Sequence, residues 1–248
     1  MTPETVLECF VDAAAAVRTA VAAVPDVARR DRTARPGQYA LDLVADAAAC
    51  AVLGRLPVRV LSEESGIHER AAATVTVVLD PVDGSTNCAR GLAYWATSIC
   101  AVDADGPWCA LVVNQATGAA VTAVRGGGAR RDERPLRASA VTAMGDAVVG
   151  LGGLPPRHLG WKQSRVLGCC ALELCEVAAG GLDGYLSPGA FHAPWDYLGG
   201  LLACTEAGAI VRDSGGEVLV TDDPGARRRL VAAGTPELLA ALSGAEPS

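Results

Sequence analysis

The stretch Asp80-Pro81-Val82-Asp83-Gly84-Ser85-Thr86-Asn87 follows directly on the apolar run Thr74-Val75-Thr76-Val77-Val78-Leu79. The run predicts a buried strand, and Pro81 and Gly84 stop it abruptly. Two carboxylates therefore leave the end of a strand on a rigid turn, and Gly84 to Asn87 then offer backbone N–H groups and hydroxyls. Hard oxygen ligands beside an amide-lined turn suit a magnesium ion holding a phosphate. Taken alone, Asp-Pro and Asp-Gly are also ordinary turn pairs. The absence of His and Cys from the stretch argues against zinc.

Two further segments stand in order around this one. Ser62-Glu63-Glu64-Ser65-Gly66 lies upstream, after the short strand Val58-Arg59-Val60-Leu61, and Trp195-Asp196-Tyr197-Leu198-Gly199-Gly200 opens a helix downstream. Together the three resemble the motifs of the inositol monophosphatase family, spread over nearly the whole chain. The resemblance implies a mixed α and β fold, a five-layer αβαβα sandwich with the site between its lobes. It implies a magnesium-dependent phosphomonoesterase for a small polyol or cyclitol phosphate such as inositol 1-phosphate, with two or three Mg2+ per site and Mn2+ as a substitute. Relatives that cleave histidinol phosphate, sugar bisphosphates or 3′-phosphoadenosine nucleotides supply the alternatives. A regulatory binding protein of the same fold, without enzymatic activity, is a reading of another class.

The same resemblance assigns roles. Glu63, Asp80, Asp83, Asp196 and the Val82 carbonyl are the implied metal ligands, with Glu64 in support. Gly84, Ser85 and Thr86 would hold phosphate or the attacking water, Ser85 standing where the family usually has threonine. A helix starting there would aim its positive end at the phosphate. Asp46, an acid on the second helix, would orient the Ser85 hydroxyl. Gly168 and Cys170, in the turn Gly168-Cys169-Cys170-Ala171, would line the substrate pocket. Asp196 would also approach the ester. Ser187 stands where many inositol phosphatases carry a glutamate for ring hydroxyls, which implies looser selectivity for inositol 1-phosphate. Arg35 falls where the family carries a basic residue near the site. None of His68, His158 and His192 reads as catalytic.

The 248 residues suffice for a substantial core, and half of them are apolar against 20% charged, so the chain is globular. A net charge of −7 opposes a nucleic-acid partner. Nine cysteines, an odd number without a Cys-x-x-Cys pair, fit small buried hydrophobes in a reducing cytoplasm. No 18-residue apolar run suggests a membrane span, and no signal peptide is apparent at the start of the sequence. The family resemblance adds a homodimer.

Apolar periodicity predicts helices over 4–24 and 39–53, then strands near 58–61, 74–80, 96–103, 108–113 and 119–124. The glycines and charges of 126–137 read as a loop. Beyond it come strands near 146–150, 183–186, 209–212, 217–220 and 230–233, helices at 169–179 and 196–207, and a last helix capped by Thr235-Pro236-Glu237. This divides the chain into an N-terminal α+β lobe, 1–137, and a C-terminal α/β lobe, 138–248, forming one catalytic unit.

Overall fold

The structure, a computed structural model, describes residues 1–244. Helix α1 (Pro3–Ala22) begins at Thr2, whose hydroxyl accepts the Thr5 N–H at 3.4 Å, and buries Val6, Phe10, Ala13, Val17 and Val21 along one stripe. Helix α2 (Ala40–Leu53) buries Leu41, Ala45, Ala49 and Val52. The two lie side by side on an eight-stranded sheet built from β1 (Arg59–Ser62), β2 (Gly66–His68), β3 (Thr76–Asp83), β4 (Ala96–Asp103), β5 (Gly106–Asn114), β6 (Ala120–Val124), β7 (Gly128–Arg131) and β8 (Arg134–Pro135). Its order is β2-β1-β3-β4-β5-β6-β7-β8, antiparallel except where β1 runs parallel to β3.

Strand β3 is apolar on both faces because both faces are covered. Val77 and Leu79 join the cluster under α1 and α2, and Val78 joins the one on the other side. The short helix α3 (Ser85–Arg90) follows β3. On the far face lie α4 (Cys170–Ala178) and α5 (Pro194–Glu206). Beyond them is a second sheet of β9 (Val148–Leu151), β10 (Gln163–Arg165), β11 (Gly184–Leu186), β12 (Ile210–Asp213) and β13 (Leu230–Ala233), in the order β10-β9-β11-β13-β12. Helix α6 (Pro236–Gly244) covers the outer face of that sheet through Leu238 and Leu242. The layers are thus α, β, α, β, α.

Gly199 and Gly200 let α5 sit close to its neighbours. A Cβ at Gly200 would fall 2.6 Å from Leu174 Cβ on α4, and one at Gly199 would fall 2.9 Å from Ser98 Oγ and 3.0 Å from Val112 Cγ2 in the first sheet. That close approach fixes where the first turn of α5, with Asp196, is delivered.

Two expectations need correction. Residues 126–137 are not a loop: β7 and β8 form a hairpin there, turned by Asp132 and Glu133 in the left-handed region at φ 46° and 70°. Residues 217–220 are not a strand. Their carbonyls are taken by side chains instead, Leu219 O by the Tyr197 hydroxyl at 2.6 Å and Val218 O by Arg228 Nε at 2.9 Å. All nine cysteines are free, and all but Cys50 are buried. No helix among the described residues is long and apolar enough to cross a membrane.

Candidate active site

The parallel pairing of β1 with β3 sets Ser62 opposite Leu79, and the Glu63 N–H donates to Leu79 O at 3.1 Å. Glu63 and Asp80 therefore leave adjacent strand ends side by side. Pro194 opens α5, and the Asp196 carboxylate accepts the Ala193 N–H at 2.8 Å across the first turn. One oxygen from each of Glu63, Asp80 and Asp196 lies within 4.8 Å of the other two. The register shifts between Asp80 and Asp83, which swings Asp83 to the start of α4. There its Oδ2 accepts the Ala171 N–H at 2.6 Å and the Cys169 thiol at 3.2 Å.

The three aspartates share one pattern. Asp80 Oδ1, Asp83 Oδ2 and Asp196 Oδ2 each accept a backbone N–H, so the other oxygen of each has no backbone donor. Burial pushes the Glu63 and Asp80 carboxyls well above the usual range, and repulsion within the group adds to it. Asp83 is pushed up to about 7, first by burial and then by Asp196, against the Ala171 N–H. Among the described residues no Arg or Lys pairs with Glu63, Asp80, Asp83 or Asp196. An all-oxygen donor set with uncompensated buried charge fits a hard divalent cation.

Gly84 adopts φ +86°, and a Cβ there would fall 3.1 Å from Gly168 O and 3.3 Å from Tyr94 O. The turn that opens α3 is thereby pressed against the loop before α4. Asn87 Nδ2 ties the two together, donating to Tyr94 O at 2.7 Å and Leu167 O at 2.8 Å. Gly168 and Cys169 thus lie against Gly84, and Cys170, next in the chain, is buried. The Ser85 hydroxyl donates to Val82 O at 2.8 Å, and Thr86 Oγ1 is 3.3 Å from the Tyr39 hydroxyl. Arg35 Nη1 donates to Glu63 O at 3.0 Å and lies 3.3 Å from Glu64 Oε2, which Gln38 also reaches. Arg35 and Gln38 therefore brace the Glu63–Glu64 turn from outside.

Two expected residues are placed elsewhere. Asp46 does not face Ser85: its Oδ1 accepts the Ser62 hydroxyl at 2.5 Å and the Cys50 thiol at 3.4 Å, one turn too far along α2. Asp42 takes that place. Its Oδ2 accepts the Tyr39 N–H at 2.8 Å, its buried Oδ1 has no partner, and the Ser85 hydroxyl is near enough to favour its charged form. Burial pushes Asp42 up to about 6. Ser187 is fully buried and donates to Gly189 O at 2.9 Å, so its hydroxyl is engaged within its own loop.

Other polar groups also reach the site. Cys169 joins the Asp83 contacts. Glu173, buried on α4, is pushed up to about 8 by burial first and by Asp83 second. His192 meets Tyr185 and Asp196. An acid in the first turn of a helix beside an aromatic N-cap was the available signal for Asp42. His192 stands four residues before Asp196 in the sequence, whereas nothing local marks Cys169 or Glu173 as partners of Asp83. The cavity of about 460 Å³ lined by Leu201, Thr205 and Val218 lies toward the other end of α5 and shares no residue with the carboxylates.

The inositol monophosphatase family model matches residues 4–246. A fructose-1,6-bisphosphatase/inositol-1-monophosphatase of Archaeoglobus fulgidus is 32% identical over 215 residues, 82% of each chain. A Nus factor SuhB of Vibrio cholerae is 31% identical over 172 residues, 63% of each chain. The solved structure of a hypothetical Pyrococcus horikoshii protein, described as similar to inositol-1 monophosphatase, shares the fold at a TM-score of 0.90 with 23% identity over the whole of both chains. Motifs, layers and acidic cluster converge with these likenesses: the chain belongs to the inositol monophosphatase family of metal-dependent phosphomonoesterases.

Proposed function

We propose that the protein is a magnesium-dependent phosphomonoesterase that hydrolyses a small polyol or cyclitol phosphate with water as the nucleophile. The observation that carries this reading is the convergence of Glu63, Asp80 and Asp196 within 4.8 Å, with no Arg or Lys partner among the described residues, beside the turn at Gly84. Glu63, Asp80, Asp83, Asp196 and the Val82 carbonyl would hold two or three Mg2+ ions, and Mn2+ would substitute. Bound Mg2+ supplies a Lewis acid that acidifies water and neutralises charge on the departing alcohol. The N–H groups of Gly84 to Thr86 would orient the phosphate, and the loop 168–170 the alcohol. We place the Ser85 hydroxyl under the control of Asp42, which would receive the Ser85 proton as the hydroxyl takes one from the attacking water. Functional assembly as a homodimer is part of the same reading.

This assignment separates Asp42 from Asp46. Asp42→Asn is expected to lower kcat by about 100-fold or more, the usual scale of acid–base assistance. Asp46→Asn is expected to cost less than tenfold, because its contacts stop at Ser62 and Cys50. Equal losses in the two variants would refute the reassignment.

The substrate follows from what the pocket lacks. With Ser187 turned inward, that position offers neither a carboxylate nor a hydroxyl to ring hydroxyls, and a charge-assisted bond there is worth about 1.5–3 kcal/mol. Phosphate release should be measured with Mg2+ on inositol 1-phosphate, histidinol phosphate, fructose 1,6-bisphosphate and 3′-phosphoadenosine 5′-phosphate. Inositol 1-phosphate is expected to turn over with less than a hundredfold advantage in kcat/KM over the next substrate. Release from none of the four would favour the non-enzymatic reading, in keeping with the relative named a Nus factor.

A further inference from the structure

His192 sits in a slot that the fold has made for it. A Cβ at Gly152 would fall 2.1 Å from the Tyr185 hydroxyl and 3.0 Å from His192 Nε2, so only glycine there admits the pair. Tyr185 is fully buried on β11, and its hydroxyl lies 2.9 Å from His192 Nε2. The His192 backbone is pinned at the same time: its N–H donates to Arg228 O at 3.3 Å and its carbonyl accepts the Arg228 N–H at 2.8 Å. The other ring nitrogen, Nδ1, faces Asp196 Oδ2 at 3.6 Å. That distance is too long for a hydrogen bond and close enough for the ring's dipole to act on the carboxylate. Oδ2 is the same oxygen that accepts the Ala193 N–H.

We propose that Tyr185 and His192 are positioning residues that hold the Asp196 carboxylate with Oδ2 toward the protein and Oδ1 toward the cation. In this arrangement the Tyr185 hydroxyl is assigned as donor to Nε2, which puts the ring proton on Nδ1, facing Oδ2 at 3.6 Å. Second partners of this kind orient a ligating group, and their loss typically weakens metal binding 10–100-fold. Asp80 is held by the Val82 N–H in its own turn, and Asp83 by the Ala171 N–H and the Cys169 thiol at the start of α4. Asp196 Oδ2 has the Ala193 N–H as its backbone donor and the His192 ring beside it.

The inference rests on the reading that Asp196 takes a cation, and the test separates the two. Mn2+ binding to the full chain is followed by electron paramagnetic resonance, beside the Mg2+ dependence of phosphate release. In His192→Ala one Mn2+ event is expected to weaken tenfold or more, and the Mg2+ needed for half-activation to rise more than kcat at saturating Mg2+ falls. His192→Asn places an N–H donor near the Nδ1 position and should stay within threefold of wild type. Tyr185→Phe removes a single oxygen and should weaken the same event severalfold. Wild type without Mn2+ binding would overturn the cation reading and this inference together. Wild-type binding with both His192→Ala and Tyr185→Phe within twofold of it would overturn the inference alone. So would a His192→Asn variant as weak as His192→Ala, since the role would then be packing. If His192→Ala fails to fold, Tyr185→Phe and His192→Asn decide between the same outcomes.

Discussion

Asp83→Asn is expected to lower turnover by about three orders of magnitude or more, roughly 4 kcal/mol of barrier, while the fold is retained. The side chain keeps its shape, and its carbonyl oxygen can still accept the Ala171 N–H that Asp83 Oδ2 accepts at 2.6 Å. The group turned toward the cation becomes a neutral amide in place of an oxygen carrying charge. Glu63→Gln acts on the same balance, in a carboxylate whose nearest charged neighbours are all acids. Neither change should lower stability in chelator, because each removes a buried charge that no Arg or Lys compensates. Phosphate release at saturating Mg2+, with thermal unfolding as the control for folding, checks both. A purified, folded variant that keeps more than about a tenth of the wild-type rate, roughly 1.4 kcal/mol, would remove its residue from the set of core ligands.

Why these carboxylates could be found in the sequence, while Asp42 could not, has a physical answer. Asp80 and Asp83 stand where an apolar run stops at proline and glycine, and a strand end is where a sheet presents its chemistry. Glu63 ends a short strand, and the parallel pairing of Ser62 with Leu79 then leaves it no place except beside Asp80. Asp196 lies in the first turn of a helix whose glycines demand close packing. The roles are implied by the family resemblance, and each of these residues stands at the end of an element, where local sequence marks it.

Asp42 and Asp46 differ by one helical turn and share a face of α2, so periodicity cannot choose between them. What chooses is how far α2 advances past β1, which the capping of Tyr39 by Asp42 decides. Ser187 fits the resemblance by its place relative to Asp196, but it lies just past the end of β11, where its hydroxyl donates to Gly189 O within the loop, a contact no strand pattern announces. The 126–137 hairpin hid behind charges and glycines, because strands at a sheet edge need no continuous apolar run. Residues 217–220 carry the strand-like apolar run Val218-Leu219-Val220, yet tertiary donors claim the carbonyls of Val218 and Leu219.

The second large effect is on stability and couples protons to the cation. A carboxyl whose pKa is raised by folding stabilises the native state fully below its unfolded value and loses that contribution as pH rises through the folded value. Glu63 and Asp80 are raised and Asp83 stands at about 7, so the relevant window runs from the usual carboxylate range up through neutrality. In chelator the melting temperature is therefore expected to fall between pH 5 and pH 8. Mg2+ replaces the protons and should reverse the fall, more strongly at pH 8, where fewer protons compete for the same oxygens. At a hundred times its dissociation constant one ion adds about 2.7 kcal/mol, or about 5–10 °C for a chain of this size. Asp42, at about 6, and Glu173, at about 8, face no proposed ion, so a shallower decline with pH should persist under saturating Mg2+. Asp42→Asn should flatten that remaining slope in the lower half of the window. Melting curves at pH 5, 6.5 and 8, with chelator and with Mg2+, read all of this in one experiment. A chelated protein that grows more stable from pH 5 to pH 8, or a Mg2+ shift no larger at pH 8 than at pH 5, would mean that these carboxyls are not the buried, mutually repelling group the geometry describes.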